Sequence, residues 1–169
     1  EHIIGKIDSE EPSIRSAVVE SLGFIESNKS VNILLYILDK EYNPRVLWSI
    51  PDAVSKVLMK DKKEVKDRMG RYDSDKRMIL AVALGKTGDG SAVDILKKGI
   101  EHDSWKIRQK SVEALKEINF NEIGKSRVKS VLRKLRKAIS DNDKWVRIEA
   151  VKTLGKKIDE LDGKYDLIK

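Results

Sequence analysis

The chain has 169 residues with 35 Lys and Arg against 28 Asp and Glu, a net charge of +7, no cysteine and 5% aromatic residues. The missing cysteines exclude a disulfide framework and thiolate chemistry, and make a cytoplasmic setting the default expectation. Sparse aromatics, 37% charge and a regularly spaced 40% apolar fraction argue against both a thick β core and a disordered chain, and for helices stacked in a thin layer.

No apolar run approaches the length that crosses a bilayer, so no membrane partner is expected. The opening Glu1-His2 has no signal-peptide pattern, and without Met it reads as the start of a piece of a longer array. The charge is uneven. Lys and Arg number 7 against 9 acids over residues 1–60, 10 against 7 over 61–100, 11 against 5 over 101–140, and 7 against 7 thereafter. The positive excess in the second half points to an anionic partner.

In chain order, residues 1–8 read as the tail of a preceding helix. Asp8 to Pro12 form a turn, and Pro12 suits the first helical turn that follows, where its missing N–H costs nothing. Ile14, Val18, Leu22 and Ile25 then fall on one helical face, and Gly23 leaves room for a neighbouring helix. Ser30 is the expected N-cap of a second helix with Ile33, Leu34, Ile37 and Leu38 inward. Further on, Pro51 is expected to kink a helix around residues 43–59, whose partner is a short helix near 61–70. A helix over 73–85 breaks at Gly88 to Gly90 and resumes with Ser91 or Asp89 as cap. The next covers 103–118, followed by an extra stretch, NFNEIGKS, and a basic helix from about Ser126 to Ile139. A last helix starts at Asp141, and Gly163 is expected to end or bend it.

These segments share one frame. The closing apolar positions Leu22, Val54, Leu84, Leu115 and Leu154 are spaced by 32, 30, 31 and 39 residues, and seven residues before each stand Arg15, Leu47, Arg77, Arg108 and Arg147. The repeats run over about 8–39, 40–71, 72–101, 102–139 and 140–169, in one domain of 1–169. A helix pair of this size cannot bury its apolar face alone and must stack on its neighbours.

The frame resembles HEAT repeats, and its short spacing is similar to the HEAT-like units of phycobilin lyases. Pro12-Ser13-Ile14-Arg15 with Leu22-Gly23 carries the resemblance, as does Trp145-Val146-Arg147 with Ala150 and Leu154-Gly155. Leu47 and Pro51 depart from it. It implies an all-α fold, a right-handed α-α superhelix of about five helix pairs, in which Arg15, Arg77, Arg108 and Arg147 form a structural ladder with acids of successive repeats.

For chemistry, His2 and His102 lie a hundred residues apart, and no P-loop, dinucleotide fingerprint, nucleophile elbow or metal-ligand cluster occurs. No catalytic, cofactor-binding or metal-binding residue is assigned, no cofactor is expected, and His102 reads as a solvated turn residue. The candidate binding residues are Lys125, Arg127, Lys129, Arg133, Lys134, Arg136 and Lys137. They wrap a helix whose Val128, Val131, Leu132, Leu135 and Ile139 share the other face, with no acid within that helix to neutralise them. Lys62, Lys63, Lys66, Arg68 and Arg71 are expected to extend the patch. The alternative is a solvated face balanced by acids of adjacent repeats. Trp48, Trp105 and Trp145 each stand near the start of a repeat's first helix, and Trp105 and Trp145 are expected to pack between layers.

The first expectation is therefore a non-enzymatic scaffold or adaptor that presents a concave surface to a protein partner. The alternative is nucleic-acid binding through the Lys125 to Lys137 helix, which the resemblance to HEAT stacks would set on the concave side. A more remote one comes from bacterial alkylpurine DNA glycosylases of the AlkD type, also built of HEAT-like repeats, whose helix start SDNDKWVRIEAV resembles. Only Trp145 and Arg147 transfer, since their paired tryptophans with a nearby catalytic Asp are missing.

Overall fold

The computed structural model describes residues 4–25, 27–58 and 62–161. It is all-α, with no strand among those residues. Backbone proximity divides the chain into two compact units, residues 1–83 and 84–169.

In the first unit a 3-10 turn at Ile4–Lys6 leads to α1 (Pro12–Leu22), α2 (Asn28–Lys40), α3 (Pro44–Leu47), α4 (Ile50–Val57) and α5 (Lys63–Met69). Pro12 opens α1, as its sequence position requires. α1 packs on α3 and α4, and α2 on α4. The core they enclose includes Val19, Leu22, Leu34, Leu38, Ile50 and Val54, each at most 2% exposed. Glycine at position 23 permits this approach. A Cβ there would lie 2.8 Å from the Cα of Ala53.

Several local expectations are corrected here. Ser27, not Ser30, caps α2 by accepting from the Lys29 N–H, and Ser30 is buried in the first turn. Ile33 is only half-buried, because Val31 and Leu35 complete the inward face. Ile25 lies beyond α1 and is exposed, and Ile14 is half-buried. Pro51 does not kink a continuous helix. α3 stops at Leu47, and the proline sits in the first turn of α4, where no intrahelical N–H is lost.

The helix α6 (Ser74–Lys86) contains the division between the units. Beyond it, a turn ends at Gly88, whose φ of 77° is the left-handed conformation glycine adopts freely. Asp89 then caps a 3-10 turn at Gly90–Ala92 by accepting from Ser91 N–H. The second unit continues with α7 (Val93–Gly99), α8 (Trp105–Leu115), a 3-10 turn at Phe120–Glu122, α9 (Lys125–Ala138) and α10 (Lys144–Glu160). α8 packs on α7 and α10, and α9 on α7 and α10. Asp143 caps α10 through the N–H groups of Trp145 and Val146. The helix then continues through Leu154-Gly155 to Glu160. Residues 162–169, with the expected break at Gly163, and His2 lie outside the described residues.

Candidate functional site

The stretch before α9 is a fixed connection, not a slack insertion. The Asn119 side chain accepts from Asn121 N–H at 3.0 Å and donates to Glu122 at 2.7 Å. Phe120 is fully buried, and the Lys157 ammonium stands 4.8 Å from the centre of its ring. Lys157 is itself inaccessible, donating to the Ile118 carbonyl at 2.6 Å and to Glu160 at 2.8 Å. Burial lowers its pKa from the ordinary lysine value, with Glu160 opposing. Lys157 continues the inward spacing of Val146, Ala150 and Leu154, but its residue type gives no sign of burial in the sequence.

α9 therefore starts from a braced position. Val128, Val131, Leu132, Leu135 and Ala138 face inward. Ile139, expected among them, follows the helix as its C-cap and is 37% exposed.

Two of the seven basic side chains are neutralised. Arg127 meets Asp94 at 3.0 Å, and Lys134 donates to Glu101. That hydrogen bond pulls the Glu101 carboxyl below its ordinary pKa, against burial, with the charges of Lys137 and Arg133 adding to it. Lys125, Lys129, Arg133, Arg136 and Lys137 are exposed and make no ion pair among the described residues. At 3.6 residues per turn and 1.5 Å per residue these five share an arc of about 120° and span about 18 Å along the axis. Arg136 and Lys137 also suit the negative end of the helix dipole.

At the foot of α9 a cleft of about 510 Å³ is lined by Glu101, His102, Arg108, Lys134, Lys137 and Asp141, among others. His102 is half-buried, not fully solvated, and its Nδ1 accepts from Ser104 N–H. The Arg108 guanidinium is filled from within. It pairs with both Asp141 oxygens at 2.8 and 2.9 Å and donates to the His102 and Asp103 carbonyls at 2.8 Å. The Arg108 hydrogen bonds hold Asp141 below the ordinary carboxylate range against the opposing effect of burial.

The other aligned arginines show how far this device repeats. Arg15 pairs with Glu41 at 2.8 and 3.1 Å and donates to the Ser9 and Glu10 carbonyls. Arg77 donates to the carbonyls of Met69 and Tyr72, and Arg147 to those of Asp141 and Asn142. Each guanidinium ties down the turn before its own helix. Two also reach a carboxylate in the next turn region, 26 or 33 residues on.

Lys62, Lys63, Lys66, Arg68 and Arg71 belong to the first unit, where Arg68 is engaged by Asp39 and Glu64, each at 3.1 Å. The tryptophan expectation is corrected. Trp105 and Trp145 are 41% and 49% exposed. Val146 and Ile107 take the inward positions, and the tryptophans, one and two residues earlier, are turned away from the core. Each instead lies near a lysine, Lys106 or Lys144, at 5.2 and 5.0 Å from the ring centre. Trp145 joins Ile148, Val151 and Ile158 in an exposed apolar set along α10.

No group of three His, Asp or Glu side chains that could hold a metal ion occurs among the described residues. Nor is any helix among them long and apolar enough to cross a membrane.

No family model matches the chain, and no curated protein matches it. Among solved structures, the crystal structure of an engineered protein from the Northeast Structural Genomics Consortium is similar at a TM-score of 0.46 and 12% identity, over 98% of this chain and 90% of that one. At that level it bears on neither fold nor function.

Proposed function

We propose that the chain is a non-enzymatic, HEAT-like binding module of the cytoplasm whose α9 arc holds nucleic-acid phosphate. The observation that carries this is the set of five unpaired cations, Lys125, Lys129, Arg133, Arg136 and Lys137, on one side of a braced helix. Among the described residues, the balancing acids that a merely solvated face would draw from neighbouring helices form ion pairs only with Arg127 and Lys134. No large apolar side chain interrupts the arc, whereas protein interfaces concentrate their energy in buried anchors. The resemblance to HEAT repeats adds support, since in those stacks the second helix of each pair lines the concave side.

The test is fluorescence anisotropy of labelled single- and double-stranded DNA and RNA at low and near-physiological salt. Saturable binding is expected, and for duplex DNA a log–log salt slope approaching about −4.5 if all five cations engage phosphates. Arg133→Glu with Arg136→Glu should abolish it. Absence of binding at low salt would defeat the proposal.

A second reading, a scaffold for a protein partner, is favoured by the exposed apolar residues of α10. Binding of that kind should change little with salt. The glycosylase reading gains no support from Arg147, whose guanidinium is engaged by two backbone carbonyls.

A further inference from the structure

Two exposed tryptophans and the last turn of α9 lie at one end of the second unit. Trp105 is the first residue of α8 and Trp145 the second of α10, and they are 41% and 49% exposed. The two helices run parallel. Arg108 pairs with Asp141, Thr153 donates to the Val112 carbonyl and Lys157 to that of Ile118, so bonded partners ascend together along both. The tryptophans therefore stand at the same end, on axes about 8–10 Å apart.

That end is also where α9 finishes. Arg136 and Lys137 lie in its last turn, and Lys137 lines a cleft with His102 and Asp141, three and four residues before the tryptophans. The Cα–Cβ bonds of a helix tilt toward its N-terminus, so a side chain of the first turn leans over that end. Trp105 and Trp145 stand three and two residues ahead of the aligned Arg108 and Arg147, about 100° apart around the helix. Each ring is thus a platform of its own.

The charges around the rings favour an anion. Lys106 stands 5.2 Å from the centre of Trp105, and Lys144 stands 5.0 Å from that of Trp145. The acids of these turns are engaged, Glu101 by Lys134, Asp141 by Arg108 and Asp143 as the cap of α10, while the charge of Asp103 acts on Arg108. An exposed aromatic ring with a cation beside it suits a nucleobase whose phosphate lies within reach. Stacking of this kind needs an open base face, which a duplex closes and a single strand offers.

We infer that the nucleic acid held by α9 is single-stranded, and that Trp105 and Trp145 each stack one of its bases where the strand leaves the basic arc. This rests on the α9 reading and adds the state of the strand. The cations hold phosphate of either form, and the rings discriminate between them.

The test uses the full chain and a labelled oligothymidylate of about 16 nucleotides, alone and annealed to its complement. Anisotropy and quenching of tryptophan emission are followed together, with circular dichroism to confirm that each variant is folded. The single strand should bind about tenfold more tightly than the duplex, with quenching on the same isotherm. Trp105→Ala and Trp145→Ala should each weaken single-strand binding by about 5- to 150-fold and leave duplex binding and its salt slope unchanged. Trp145→Phe, which keeps a ring, should recover most of the loss. A duplex bound as tightly as the single strand, no quenching at saturation, or tryptophan variants that bind like wild type would overturn the inference. Binding that needs Arg133 and Arg136 but is indifferent to the tryptophans would leave the α9 reading standing and this one refuted. No binding of either form would defeat both.

Discussion

Leu84-Gly85 and Leu154-Gly155 are the same dipeptide at the same place in the repeat, and the two surroundings are opposite. Leu84 is 1% exposed, and Gly85 lies under Ala114 and Leu96. Leu154 is 9% exposed, and Gly155 faces open space. A repeat signature therefore records a capacity for close packing, while a neighbouring helix decides whether it is used. The same contrast divides α10 itself. Its inward arc closes on α8 and α9, and its outward arc carries a similar apolar content into solvent.

The contrast between the two arcs of α10 can be broken most directly at Lys157. Lys157→Ala strips the buried Ile118 carbonyl of its donor and removes the contact with Glu160, and should cost about 1–3 kcal/mol in urea unfolding. Val151→Ala, on the outward arc, should stay within about 0.5 kcal/mol. At Gly85 a β-branched side chain meets atoms 2.7 and 2.9 Å from its first carbon. Gly85→Val should cost about 1–3 kcal/mol by the same measurement.

Arg108→Ala should cost about 1–2 kcal/mol near neutral pH, since it removes a half-buried, two-pronged ion pair. Its pH dependence has a definite sign. Asp141 titrates lower in the folded chain than in the unfolded one, so the folded state binds fewer protons in acid. The pair's contribution is complete above about pH 4 and is lost as the pH falls through the lowered value. Stability curves of wild type and Arg108→Ala should therefore converge below about pH 4. The smallest effect is at Gly155, where Gly155→Ala fills no occupied space and should stabilise the chain by about 0.5–1 kcal/mol. If Gly155→Ala instead cost as much as Gly85→Val, the two surroundings would be alike after all.

Much of the local architecture was legible. Pro12 at a first turn, the break near Gly88 and four of the five inward residues of α9 follow from periodicity and backbone chemistry. The failures have one cause in common. Ser27 and Ser30 are both good caps by type, and the helix start that wins buries Ser30 against the core. Trp145 looks like a packing residue by size, yet Val146 holds the inward register and turns it to solvent. For the candidate site, the basic residues of α9 were evident as a cluster. Which of them are neutralised was not, because Asp94 and Glu101 lie 33 residues from Arg127 and Lys134 respectively, on α7 and the turn after it.

By itself the sequence determined the all-helical content and the basic composition of α9, because these depend on residue types and propensities within a few residues. Tertiary structure alone decided the rest: that Lys157 is buried, that five cations of α9 form no ion pair among the described residues, that Gly85 is covered and Gly155 is not. Each of those is settled by atoms distant in sequence. Burial, pairing and exposure are properties of what lies across a contact, and a one-dimensional pattern specifies only one side of it.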